Sequence, residues 1–260
     1  MGVRTVVREV QESSLVFDQW WLELWDEPSD STAGIWAEVA RVVKAEEPRI
    51  LLIANPPAHW EQASVTLDGT FRRLAPYVDV WWPFHTHLTA EDGSHLAFMR
   101  GTGKPIGYYA TPGIFVSKAE TAAYGFYRKA AWQAFLHDLQ GMGFWAYNSY
   151  YGNPWDDMDS GVVDWPDAAV VYPGLWGPIP SRNWEAFRDG LDDYRLLRFL
   201  SLEAARAQEA SDPYSRERGV ELSQALRVLA ADMDKAQTVS EVEAVRDRLY
   251  DLAADWISRV

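Results

Sequence analysis

The sequence predicts an α/β protein assembled from parallel β/α units. Short apolar runs alternate with stretches of helical periodicity, at a spacing that suits strand–crossover–strand repeats. The runs are nearly continuous in apolar residues, as strands buried on both faces must be. Each run stops at a turn or polar residue: Asp26-Glu27-Pro28, Asn55-Pro56-Pro57, Pro83, Thr111-Pro112-Gly113 and Asn148. In α/β folds such strand ends line the active site.

The elements follow in order. Residues 3–12 read as the tail of a helix. The run Trp20 to Trp25 leads into Asp26 as the first strong strand. Asp30, Ser31 and Thr32 offer N-caps for a helix whose Ile35, Trp36, Val39, Val42 and Val43 recur at helical spacing until Pro48. Ile50 to Ala54 is a wholly apolar strand, and a helix-prone stretch follows to Tyr77. Val78 to Trp82 is a third strand, residues 92–101 a short helix, and Pro105 to Ala110 a fourth strand. Residues 118–140 form a helix stopped by Gly141, and Gly143 to Asn148 is a fifth strand. Residues 149–181 read as a long loop rich in Asp, Gly, Pro, Trp and Tyr, a length that marks functional or disordered segments. From Asn183 the chain is helical, with breaks near Asp212-Pro213 and Thr238-Val239-Ser240. Five β/α units are too few for a closed eight-stranded barrel, so the sheet is open or the chain is the back part of a barrel.

Composition narrows the function classes. A length of 260 residues, 48% hydrophobic, gives room for one large domain or a domain with an appendage. The net charge of -14, with no basic run, argues against nucleic acid or an anionic membrane as partner. No run is long enough to span a bilayer, and Met1-Gly2-Val3-Arg4 lacks the apolar core of a secretory signal. Absence of cysteine removes disulfides, thiolate metal sites and a cysteine nucleophile. Fourteen tryptophans are far above ordinary usage. Packing explains such rings, and so does stacking on the flat faces of sugars.

Asp26 and Glu27 form the most informative pair. Adjacent carboxylates at the end of a buried strand repel one another, and desolvation raises their pKa values further. Pro28 pushes Glu27 towards an extended conformation, so the strand is expected to run through Glu27 and then break. By alternation Glu23, Trp25 and Glu27 share one face, and Leu22, Leu24 and Asp26 the other. The bland alternative for Asp26 is a cap for the helix that begins near Pro28.

Several segments in the same order carry a family likeness: Asp26-Glu27-Pro28; Tyr127-Arg128 through Trp132 into Gly141 to Asn148; Asn153-Pro154-Trp155-Asp156; Val171-Tyr172-Pro173-Gly174; Pro180-Ser181-Arg182; and Glu185 to Tyr194. Together they resemble the catalytic domain of glycoside hydrolase family 123 and its wider relatives, domain of unknown function family 4091, over roughly residues 15–200. The resemblance implies a (β/α)8 TIM-barrel type fold in which the Asp-Glu pair closes the fourth strand. The chain would then hold strands four to eight only, as a partial barrel over residues 1–200 with a helical extension over 201–260. Relatives are often bacterial and secreted, and often carry an N-terminal β-sandwich.

Two-carboxylate retaining glycosidases place their acids about 5–5.5 Å apart on different strands. In this sequence one strand end supplies both, which suits substrate assistance. Glu27 would protonate the leaving oxygen and later activate water. Asp26 would hold the acetamide N–H and stabilise the oxazolinium charge. The resemblance implies the same roles, β-N-acetylgalactosaminide substrates and retention. Barrel glycosidases with Asn-Glu-Pro at strand four need a second Glu at strand seven, and Pro105 to Gly113 contains no carboxylate.

Further candidates are Tyr109 for the acetamide carbonyl, Trp145, Tyr147 and Asn148 at the last strand end, Trp82 and Trp155 for stacking, and Asn55 for a hydroxyl. Core packing or a turn role competes with each. His85 and His87 lack a third metal ligand, so sugar or solvent contact is the expectation. Asp156, Asp157 and Asp159 lack the Gly and Glu spacing of a calcium loop. Arg128 reads as a structural ion pair, and Arg182, Arg188 and Asp189 as structural. No cofactor or metal is expected. The expected partner is an N-acetylhexosamine-containing glycan, with self-association or a missing N-terminal half as the remedy for open sheet edges.

Overall fold

The computed structural model describes residues 2–13, 15–58, 64–89, 92–111, 123–150, 152–156 and 169–258. It is a mixed α/β protein, rich in helix and with small sheets. The chain divides into two compact units, residues 1–110 with 139–143, and residues 111–138 with 144–260. No helix is long and apolar enough to cross a membrane among the described residues.

The first unit begins with α1 (Val3–Glu12) and places β1 (Trp21–Glu23), α2 (Ala33–Glu46), β2 (Leu51–Ala54), α3 (Arg72–Leu74), β3 (Val80–Trp81), α4 (Thr86–Thr89), α5 (Ser94–Gly101) and β4 (Tyr109–Ala110) in succession. The strands run parallel in the order β1-β2-β3, with Glu23 opposite Ile53 and Ile53 opposite Val80. Parallel bridges join Trp81 to Ile106 and Phe84 to Tyr109. Beyond them Tyr108 N–H donates to the Gly141 carbonyl at 3.3 Å and Gly143 N–H to the Tyr108 carbonyl at 2.8 Å. Five chain segments are thus adjacent in sequence order, as apolar strands linked by crossovers should be.

The strands are shorter than the sequence predicts. The first pairs over Trp21–Glu23 rather than 20–26. Among the described residues it pairs with β2 alone, and that ladder ends at Glu23. The expected strands 78–82 and 105–110 shrink to two-residue ladders plus single bridges. Helix α2 buries Ala33, Trp36, Ala40 and Val43, spaced as one helical face requires. Ile35, Val39 and Val42 lie exposed on its other side. Two acids pin the unit. Asp79 Oδ2 accepts from Lys44 Nζ at 2.6 Å and from Leu52 N–H at 2.8 Å. Asp30 accepts from Ser64, the Thr66 N–H and Thr70, the last at 2.6 Å.

The second unit contains α6 (Ala130–Leu136), a small antiparallel hairpin of β6 (Val171–Tyr172) and β7 (Ile179–Pro180), and three long helices: α7 (Arg182–Gln208), α8 (Pro213–Lys235) and α9 (Val239–Ser258). The helix expected over 118–140 is described as a wide turn at Ala123–Tyr127 followed by α6; its first five residues lie outside the described residues. It ends at Leu136 rather than at Gly141, and Asp138 takes a left-handed φ of 48° just beyond. The last strand, expected over 143–148, is only β5 (Gly143–Phe144). The breaks between the long helices fall where expected. Ser181 and Asp212 cap α7 and α8, each accepting backbone N–H groups from the first turn.

The core of this unit gathers Trp132, Leu197, Leu200, Leu222, Leu226, Met233, Val245 and Leu249. Inside it Arg128 Nε and Nη2 donate to Asp193 at 3.0 and 3.3 Å, and Trp132 Nε1 donates to the same carboxylate at 3.1 Å. Asp189 takes the remaining Arg128 nitrogen at 2.8 Å. The structural reading of Arg128 and Asp189 holds. Arg188 pairs with Glu185 one turn away on the surface of α7.

Candidate active site

The site is built on the C-terminal side of the first two strands. After Glu23 the chain leaves the sheet and turns through Asp26 and Glu27 into buried Pro28 and Ser29. Ser29 N–H donates to Thr32 Oγ1 at 2.9 Å and the Ser29 carbonyl receives Ala33 N–H at 2.8 Å, which starts α2. So Asp26 does not cap that helix. Glu27 is not extended, as Pro28 alone would favour: its φ is 53°, in the left-handed region. Non-glycine residues reach that region only when surrounding contacts over-determine them. The contact at this position is Asn55, at the end of β2, whose Oδ1 accepts the Glu27 N–H at 3.2 Å.

The same amide also holds the neighbouring acid, because Asn55 Nδ2 donates to Asp26 Oδ1 at 2.8 Å. Two strands away Tyr109 donates its hydroxyl to Glu27 Oε1 at 2.5 Å. Burial pushes the Glu27 carboxyl above its ordinary value; the Tyr109 hydrogen bond opposes this and the Asp26 charge adds to it. Tyr109 is displaced well upward by burial and then by its bond to Glu27, so it stays a phenol and a donor. A third acid completes the group. Glu23 is raised by burial first, then by the Asp26 charge and a hydrogen bond with Asp26, with a bond from Asn55 opposing. Sequence reasoning placed Glu23 on the face of Glu27 but gave it no role. The signal was its position four residues before Glu27 on the same strand.

Trp82 lies on the same side of the sheet as Trp21, on which it stacks with centroids 6.3 Å apart. Its ring fills the space over Gly107 and Gly141, where an added Cβ would sit 2.1 and 2.5 Å from indole carbons. This packing explains both glycines. His85 is buried, 5.6 Å from the Tyr108 ring between centroids. His87 bonds to His95 Nδ1 at 2.8 Å and to the Pro57 carbonyl at 2.5 Å. Among the described residues no group of three or more His, Cys, Asp or Glu is placed to hold a metal ion; Asp157 and Asp159 lie outside the described residues. Thus Asp26, Glu27, Asn55 and Tyr109 come together, and Trp82 and His85 pack on the same strands.

The remaining candidates belong to the second unit. Trp145, Tyr147 and Asn148 are exposed. Tyr147 meets Trp184 edge-on at 5.8 Å, and its carbonyl accepts Val170 N–H at 3.0 Å. Trp155 stacks on Tyr172 at 4.7 Å with ring planes 11° apart and is 58% exposed, leaving one ring face open. The β6–β7 turn presents Leu175 and Trp176, 95% and 99% exposed, which sequence reasoning did not single out.

The fold is similar to that of a solved family 123 glycoside hydrolase from Clostridium perfringens, studied for glycolipid glycan hydrolysis, with a TM-score of 0.67 at 13% identity. The alignment covers 98% of this chain and 44% of that one, so the chain spans less than half the length of its structural relative. Residues 111–200 match the family model "Glycoside hydrolase 123, catalytic domain". The likeness to family 123 read from the sequence is borne out by both. No curated protein matches the chain.

Proposed function

We propose that the protein is a retaining glycoside hydrolase of the β-N-acetylhexosaminidase type, acting on β-N-acetylgalactosaminide-like glycans by substrate assistance. The observation that carries this reading is the unequal setting of two adjacent carboxyl groups. Glu27 is half-buried, raised by burial and capped by the Tyr109 hydroxyl; Asp26 is exposed and tied through one oxygen to Asn55. A carboxyl that binds its proton more tightly than an ordinary glutamate suits general acid work. A carboxylate with a free oxygen suits the acetamide N–H and the developing oxazolinium charge. The likeness to family 123 supports the reaction class. On this reading the five adjacent parallel segments correspond to strands four to eight of a (β/α)8 barrel, over residues 1–200, with residues 201–260 as a helical extension.

The mechanism then runs in two steps. Glu27 protonates the glycosidic oxygen as the substrate's acetamide oxygen attacks the anomeric carbon. The ionised Glu27 next takes a proton from water, which opens the oxazolinium intermediate with overall retention. Trp145, Tyr147, Asn148 and Trp155 are proposed sugar contacts, and Trp82 and His85 pack within the first unit.

Release of 4-nitrophenol from its β-N-acetylgalactosaminide tests the reading. Glu27→Gln and Asp26→Asn should each lower the rate by two or more decades in a folded sample, since one positioned acid–base group contributes roughly 10²–10⁴-fold. Unchanged rates would remove the pair from the chemistry. A second reading, a carbohydrate-binding protein without turnover, is favoured by the open ring faces of Trp155 and Trp176. It predicts glycan binding with no product and no dependence on Glu27.

A further inference from the structure

Asn55 has one carbonyl oxygen and two N–H donors, and its amide reaches both residues of the acidic pair. Its Oδ1 accepts the Glu27 N–H and its Nδ2 donates to Asp26 Oδ1. This arrangement is long-range: Asn55 sits at the end of β2, 28 residues from Glu27. Its own backbone is fixed on the far side, where Pro56 and Pro57 are buried, the Pro56 carbonyl accepts Phe84 N–H at 2.9 Å and the Pro57 carbonyl meets His87. The amide is therefore a fixed post rather than a mobile contact. Its Oδ1 and one of its N–H donors are thereby engaged, which leaves the second N–H for the hydroxyl contact the strand-end position suggests.

We propose that Asn55 is a positioning residue: it locks Glu27 in its left-handed conformation and occupies one oxygen of Asp26 so that the other faces substrate. The inference rests on the Asp26–Glu27 reading of the site. Its physical logic is economy of orientation. Without the amide, Asp26 loses its one anchored oxygen and its like-charge repulsion with Glu27 is no longer steered. With it, one Asp26 oxygen is held and the other is left to accept from substrate. The titratable group bonded to the Asn55 amide is Asp26; Glu27 meets Asn55 through its backbone N–H, and Tyr109 holds the Glu27 carboxyl.

The test uses the full chain and reads the clamp apart from turnover. In 15N spectra of the wild type, the Asn55 side-chain amide resonances should move with pH in step with the carboxylates they touch. Asn55→Ala should shift the Glu27 backbone amide resonance, because the acceptor that holds it is gone. Asn55→Asp keeps an acceptor for that N–H but loses the donor to Asp26, so the Glu27 amide should stay near its wild-type position while the rate still falls; this second variant serves if the first does not fold. In turnover, Asn55→Ala should lower kcat about 10- to 100-fold with KM changed less than about threefold. Asn55 amide resonances that stay still with pH, or a Glu27 backbone amide unmoved in Asn55→Ala, would overturn the clamp whatever the activity. Full activity of Glu27→Gln alongside a moved Glu27 amide in Asn55→Ala would instead leave the clamp standing and sink the hydrolase reading.

Discussion

Tyr109→Phe isolates a single hydrogen bond at the centre of the site. The Tyr109 hydroxyl donates to Glu27 Oε1 at 2.5 Å, and the phenol is held far from ionising. A hydrogen bond to a charged acceptor contributes about 1.5–3 kcal/mol, and about 1.4 kcal/mol is a factor of ten in an ionisation equilibrium. Glu27 is only half-buried, so water reaching the vacated side screens part of this, and the lower end applies. The sign follows from what the bond favours. The hydroxyl stabilises ionised Glu27, so its loss raises the protonated fraction at neutral pH about tenfold. The assay is kcat/KM against pH on an aryl β-N-acetylhexosaminide whose poor leaving group needs a proton. The basic limb should move upward in the variant, whatever happens to the plateau. A limb that stays in place, or moves down, would show that Tyr109 does not control the acid.

Other outcomes follow from the same structure. Asp193→Ala should cost about 3–5 kcal/mol in urea unfolding, because Arg128 and Trp132 Nε1 lose a carboxylate that is 0% exposed; Asp189→Ala, at an exposed partner, should cost about 1 kcal/mol or less. Gly107→Ala should destabilise by about 1–3 kcal/mol through overpacking against Trp82, and adding Trp82→Phe should recover part of the loss. Glu27→Gln should raise the melting temperature at neutral pH. The folded state binds the Glu27 proton more tightly than the unfolded chain, so this stabilisation is present at low pH and lost as pH rises through the folded value. The difference between variant and wild type should therefore vanish in acid; a difference that grows there contradicts the shift.

The parallel β/α order is legible in the sequence because Leu51 to Ala54 and Trp21 to Trp25 are apolar runs with clear stops. The long helices are legible through their caps, Ser181 and Asp212. Strand lengths are not, because an apolar residue beyond the ladder looks the same in sequence as one within it: Leu24 and Trp25 extend the run while β1 ends at Glu23. The hairpin of β6 and β7 hides behind Pro173, Gly174, Gly177 and Pro178, which read as loop. At the site, the acids were visible as a pair on one strand end. Their control was not, since Asn55 and Tyr109 reach Asp26 and Glu27 across 28 or more residues of chain. Local rules even pointed the wrong way at Glu27, where Pro28 favours an extended backbone and the long-range bond from Asn55 selects the left-handed one.

In the proposed reaction the substrate's own acetamide does the work a second carboxylate does elsewhere. A series of aryl β-N-acylhexosaminides bearing acetyl, fluoroacetyl, difluoroacetyl and trifluoroacetyl groups puts that step to the test. Each fluorine weakens the acyl oxygen as a nucleophile while leaving the leaving group unchanged. With the wild type, kcat/KM should fall steeply and monotonically along the series. A flat series would mean that another group attacks the anomeric carbon, and would contradict the acetamide-assisted roles of Asp26 and Glu27.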